Sequence, residues 1–224
     1  MLPISKIYKQ IEVLTVQLIE SSLCEAQNFP SLKSSSGNIE EISVSHNDYS
    51  IFLKNIPYSE MFRQLVETKT YNMKMIDGAL ISLSYRFKQK CLISSRLSFF
   101  PSPDLEAFQN EPDLYFDDEL YSDIMDKRIV TVPIRFDYDA NEKTQKPITH
   151  PISHLTLGQY KNCRIPVSAA LTPYQFLMFI LMNFYSNAYV KLNSKFTKFK
   201  NCFNSTIFDE ERELLHMNTP IYRS

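Results

Sequence analysis

Three successive runs, YNMKMID, ALISLSYRF and CLISSRLSFF, between Tyr71 and Phe100, constrain the fold of this chain more than any other feature. Each alternates or runs apolar over a strand's length. Gly78 supplies the first bend, and Pro101 and Pro103 end the series. Side chains of an extended chain point alternately to opposite faces, so such runs with short connections predict antiparallel neighbours. A locally connected, β-rich pattern of this kind implies a meander rather than a doubly wound sheet.

Helical spacing flanks this region. From Ile4 to Cys24 the residues Ile7, Ile11, Leu14 and Leu18 recur every three or four positions, which predicts an amphipathic helix with Lys6, Lys9, Glu12 and Glu20 outward. Its apolar stripe must cover a sheet or a partner. The stretch Phe29 to Asn38, FPSLKSSSGN, carries Pro, Gly and a Ser cluster and is expected to be a mobile connection. Short strands are expected at Ile42 to His46 and Tyr49 to Leu53, and a helix at Tyr58 to Thr68. Thr172 as N-cap and Pro173 at the first helical position open a buried helix through Tyr185. The expected class is α+β: one domain over residues 1–224, with a sheet-containing body at 42–187 and a helical and polar tail at 188–224, whose last stretch, Asp209 to Ser224, is expected to fray.

Composition excludes several functions. Lys and Arg number 24 against 25 Asp and Glu, so no global field holds the protein to nucleic acid or to an anionic membrane, and any such contact needs a local patch. Cys24, Cys91, Cys163 and Cys202 form no CxxC pair, and no secretory signal opens the chain; a reducing cytoplasm is the expected setting. The most apolar window, Tyr174 to Tyr185, falls short of the roughly 20 residues a membrane helix requires. No P-loop, GxGxxG, GxSxG or HExxH occurs, and three glycines are few for a phosphate cradle. Between Asp104 and Asp126 stand nine acidic residues and no basic one, without the glycine that a calcium-binding EF-hand loop needs.

Polar chemistry gathers in one segment. In VTVPIRFDYD, from Val130 to Asp139, the period of two sets Ile134 and Phe136 on one face and Arg135, Asp137 and Asp139 on the other. In HPISHLTLG, His150, His154 and Thr156 share a face, and Ser153, Leu155 and Leu157 the other. If residues 140–149 close a hairpin, Asp139 is expected opposite His150 and Arg135 opposite His154, with Arg164 from the next segment joining them. A slip by one residue would separate the imidazoles from the carboxylates. No cofactor is identified by a motif; Asp137, Asp139, His150 and His154 make a divalent metal the candidate, and a His beside an Asp is a common acid and base pair for hydrolysis. The plainer reading is an Arg135–Asp137 surface ion pair, with His154 bonded to a backbone carbonyl. His46 and His216 stand alone. A second candidate surface is the stripe of Lys191, Lys195 and Lys198 beside Phe196, Phe199 and Phe203, where basic and aromatic side chains at helical spacing would hold and stack a single strand of DNA or RNA.

The segments RLSFFPSP, PIRFDYD, HPISHLTLGQYKNCRIPV and LTPYQFLMFILMNFY together resemble a bacterial domain family of unknown function, several members of which are encoded beside a predicted helicase in two-gene anti-phage defence systems. The likeness spans Asp77 to Tyr185. It implies a helicase as partner and an accessory or effector role on invading nucleic acid; it supplies no catalytic residues. Three readings therefore stand: a non-enzymatic helicase subunit, a metal-dependent phosphodiesterase or nuclease built on the Asp and His cluster, and a single-strand-binding module using the Lys191 to Phe203 stripe.

Overall fold

A computed structural model describes residues 2–44, 56–103, 132–160 and 162–220. The strand expected at Tyr49 to Leu53, the acidic segment at Asp104 to Asp126 and His46 lie outside the described residues.

The described chain forms one antiparallel sheet with helices. Its strands are β1 (Cys24–Gln27), β2 (Ser31–Ser35), β3 (Ile39–Ser43), β4 (Met73–Met75), β5 (Leu80–Lys88), β6 (Cys91–Phe100), β7 (Ile134–Asp139), β8 (Ser153–Leu157) and β9 (Ile165–Pro166). The order is β1-β4-β5-β6-β7-β8-β9, and the β2–β3 hairpin joins the same edge of β5 farther along. Four consecutive strands, β5 to β8, are therefore neighbours in space as in sequence, which is the expected α+β meander. The helices are α1 (Ile4–Glu20), α2 (Tyr58–Glu67), α3 (Pro173–Phe184), α4 (Ser186–Leu192) and α5 (Asp209–Arg212).

Period two separates the faces of this sheet. Ile81, Leu83, Tyr85 and Phe87 of β5, Leu97 and Phe99 of β6, Ile134 and Phe136 of β7 and Leu155 of β8 all turn to one side and are buried. Helices α1 and α3 cover them with Ile7, Ile11, Leu14 and Leu18 and with Phe176, Leu177, Ile180 and Leu181, in one continuous cluster. The apolar stripe of α1 is thus spent on its own sheet and is not left for a partner. Helix α3 starts as its sequence implies: Thr172 Oγ1 accepts from Gln175 N at 3.2 Å, and Gln175 Oε1 returns the bond from Thr172 N at 2.9 Å. Tyr185 interrupts the helical path at φ −137° and donates its hydroxyl to both oxygens of half-buried Asp77, at 2.8 and 2.9 Å. Burial raises the Asp77 carboxyl above its usual range.

Three expectations change. The presumed mobile connection at 29–38 contains β2, paired along its whole length with β3 through a turn at Ser36, Gly37 and Asn38. Serine and lysine there are the side chains of an exposed edge strand, which composition cannot distinguish from a loop. The tail is docked rather than frayed: Met217 bridges in parallel to Val167, Ser168 N donates to Met217 O at 2.8 Å, and Thr219 N donates to Ser168 Oγ at 2.8 Å. Buried Glu211 pins it further, accepting from Ile148 N at 3.2 Å and Phe208 N at 3.0 Å. The helix expected from Lys191 to Phe203 ends at Leu192, followed by a short 3-10 turn and irregular chain.

Candidate functional site: a cationic cleft on the open face of the sheet

The face away from α1 and α3 is polar because the alternate residues of the same four strands are polar. Register lines them up in rows. Ser84, Arg96, Asp137 and His154 stand directly opposite one another across β5, β6, β7 and β8; on one side run Ser82, Ser98, Arg135 and Thr156, and on the other Arg86, Ser94 and Asp139. Serine and threonine keep the floor low between long arginines, so the sheet surface becomes a cleft of about 1290 Å3. Helix α2 forms a wall at one end, packing Met61, Phe62 and Leu65 on Leu80 and Phe100. Gln159 Nε2 donates to Ile56 O at 3.2 Å and ties the loop after β8 to the chain entering α2.

Asp137 is the electrostatic centre. Arg96 Nε donates to its Oδ1 at 2.8 Å and Arg135 Nε to its Oδ2. Burial by itself would raise this carboxyl, but the two guanidinium groups outweigh that cost and hold it below the usual carboxylate range. His154 Nδ1 lies 3.0 Å from the carbonyl of Pro151. A carbonyl only accepts, so Nδ1 carries the proton, and Nε2 faces Asp137 Oδ2 at 3.8 Å. Burial pushes the His154 pKa down, with the charge of Asp137 pulling it partly back. The His150 ring lies beside it, 5.6 Å between centroids.

The hairpin register differs from expectation by two residues. Asp137, not Arg135, faces His154, Arg135 faces Thr156, and Asp139 N donates to Ile152 O rather than standing opposite His150. A shift of two leaves every side chain on its face, so Arg135, Asp137, Asp139, His150, His154 and Arg164 still border one cleft. Asp139 serves its own loop: Oδ1 accepts from Asn141 N and Oδ2 from Thr144 Oγ1, each at 3.0 Å. Arg164 donates to the Thr149 carbonyl at 3.3 Å. Ser153 turns away, bonding Ala169 O at 3.0 Å.

This donor set does not suit a divalent metal. Both oxygens of Asp137 are held by arginines, both of Asp139 by the loop, and among the described residues no group of three His, Cys, Asp or Glu could hold an ion. The cleft instead suits an anion. Among the described residues Arg86, Arg96, Arg135 and Arg164 line it with Asp137 and Asp139, and Arg86 also pairs with Glu41 at 3.7 Å, which leaves a local excess of positive charge on a chain whose net charge is −1. Arg86 and Arg96 were missed as site residues, although each is the charged member of a period-two strand and shares the polar phase of its run. Tyr160, in the loop after β8, left no periodic signal.

The Lys191 to Phe203 stripe does not form the expected surface. Phe196 is buried, Phe199 packs on Tyr174 with ring centroids 5.9 Å apart, and Phe203 contributes to the main core. Gln17 secures the segment to α1 through Lys195 O at 3.2 Å, Thr197 Oγ1 at 2.9 Å and Thr197 N at 3.1 Å. Lys191, Lys195 and Lys198 are exposed, but the aromatic half of the pattern is used for packing.

Among the described residues no helix is long and apolar enough to cross a membrane. No curated protein and no solved structure matches the chain. A family profile matches residues 23–219, nearly the whole sequence from β1 to the docked tail, and the chain belongs to the family described as uncharacterized conserved protein (DUF2290).

Proposed function

We propose that this protein is an accessory subunit that binds the phosphate backbone of a nucleic-acid strand in its sheet-face cleft, working with a helicase in anti-phage defence. The observation that supports the binding half is the convergence of four arginines in one cleft of an otherwise charge-balanced chain. Phosphate contacts dominate the affinity of proteins for nucleic acid, and guanidinium groups on a rigid sheet are suited to make them. At about 1290 Å3 the cleft exceeds the roughly 300–1,000 Å3 of small-molecule pockets, which favours a segment of polymer over a free metabolite. The resemblance described above supports the helicase half. A metal-dependent phosphodiesterase has less support, since the carboxylates it would need are already occupied.

Arg135 and Arg164 test the cleft. Fluorescence anisotropy with a labelled single-stranded oligonucleotide is expected to show Arg135→Ala and Arg164→Ala each weakening binding several-fold. The double variant should flatten the salt dependence by about 0.7 in log–log slope per lost phosphate contact. Unchanged affinity and slope in the double variant would refute phosphate binding there. Co-expression with the helicase of such a gene pair should yield one species on gel filtration; two separate elution peaks would remove the helicase from the proposal.

A further inference from the structure

The loop between β8 and β9 places one exposed aromatic side chain at the cleft. Tyr160 lines the cleft yet is 73% exposed, far more than an aromatic residue used for packing. Gly158 has φ +61°, a left-handed backbone that favours glycine, and a Cβ there would lie at ordinary contact distance, 3.4 Å, from the Tyr160 ring and Val132 Cγ1, so the ring lies next to this turn. Gly158 N donates to Pro133 O at 2.7 Å, Cys163 N to Tyr160 O at 3.2 Å, and Gln159 Nε2 to Ile56 O at 3.2 Å. The same loop delivers Arg164 to the cleft four residues later.

We infer that Tyr160 is a stacking platform for an unpaired base, making the cleft selective for single-stranded over duplex nucleic acid. This deepens the proposed phosphate-binding reading and rests on it. A strand whose phosphates lie along Arg135 and Arg164 has its bases free to turn outward, and an exposed ring lining the same cleft is available to meet one of them. In a duplex the base faces are already stacked and offer nothing to the ring. Stacking on an aromatic side chain tolerates any base, because every base presents a π face. The backbone at Gly158, Tyr160 and Cys163 is already hydrogen-bonded before the ligand arrives, which reduces the ordering required on binding.

The experiment compares three fluorescein-labelled probes of one length: an oligothymidylate, the same backbone with abasic sites, and a duplex. Tyr160→Ala is expected to weaken oligothymidylate binding by about 5- to 100-fold, the range of one lost stacking contact. Tyr160→Phe should retain wild-type affinity. The abasic probe should bind the wild type as weakly as the intact probe binds Tyr160→Ala, and the two proteins should bind the abasic probe equally. Equal binding of intact and abasic probes by the wild type, or an equal loss on both probes in Tyr160→Ala, would overturn the platform. If that happens while the Arg135 and Arg164 variants still lose binding, the phosphate reading survives alone. If no probe binds the wild type, both fall together.

Discussion

Asp137→Ala is expected to cost about 3 kcal/mol of folding stability, read as a lower urea midpoint with unchanged slope. Removing one member of a fully buried ion pair typically costs about 3–5 kcal/mol, and here two guanidinium groups lose a partly buried carboxylate whose side chain is 12% exposed. The arginine side chains are 29% and 28% exposed, so water screens part of that loss and the lower end of the range applies. The pH dependence has a definite sign. The folded-state pKa of Asp137 is depressed, so its stabilisation is complete above its unfolded value, about 3.9, and disappears as pH falls through the lower folded value. The gap in stability between wild type and Asp137→Ala should therefore close on acidification below about pH 4. A gap that stays constant down to pH 2 would show that the carboxylate does not act through its charge. The same variant separates clamp from catalyst. With that carboxylate gone, Arg135 should hold an oligonucleotide more tightly, whereas loss of binding in a protein shown to be folded would mean that Asp137 itself contacts the ligand.

Phe176→Ala should cost about 3–5 kcal/mol and lower the melting temperature by roughly 10 °C. Phe176 is fully buried, and its ring meets Phe136 edge-on at 5.9 Å between centroids. Phe136 precedes Asp137 on β7 and points to the opposite side, so the helix packing beneath the sheet holds the strand that carries the ion centre above it. Val190→Ala, at a side chain 74% exposed, is the control and should stay within about 0.5 kcal/mol of wild type. Comparable losses at the two positions, measured by thermal melting, would contradict an account in which α3 supports the cleft by packing.

Much of this architecture could be read from local pattern. Period two in PIRFDYD and HPISHLTLG assigned the core face correctly at Ile134, Phe136 and Leu155 and the opposite face at Asp137, since alternation is a property of the extended backbone itself. Thr172 and Pro173 marked the start of α3 for an equally local reason: a cap satisfies donors within its own first turn. Segments whose state depends on distant partners were misread. Ser31–Ser35 looks like a loop until β3 pairs with it, and the polar tail looks loose until Val167 and Ser168 engage Met217 and Thr219. The Lys191 to Phe203 spacing is helical on paper, yet Phe196 and Phe199 gain more by packing against the core than by continuing the helix.

The amino-acid sequence alone determined the α+β class, the antiparallel meander and the side of the sheet on which Arg135, Asp137 and His154 emerge. Tertiary structure alone decided that Asp137 faces His154, that Arg96 arrives from β6 to share its carboxylate, and that Tyr160 lines the cleft. The physical reason is degeneracy: sliding one strand past another by two residues preserves every face and every local preference. Only packing and hydrogen bonds between residues far apart in the chain distinguish one such register from the next.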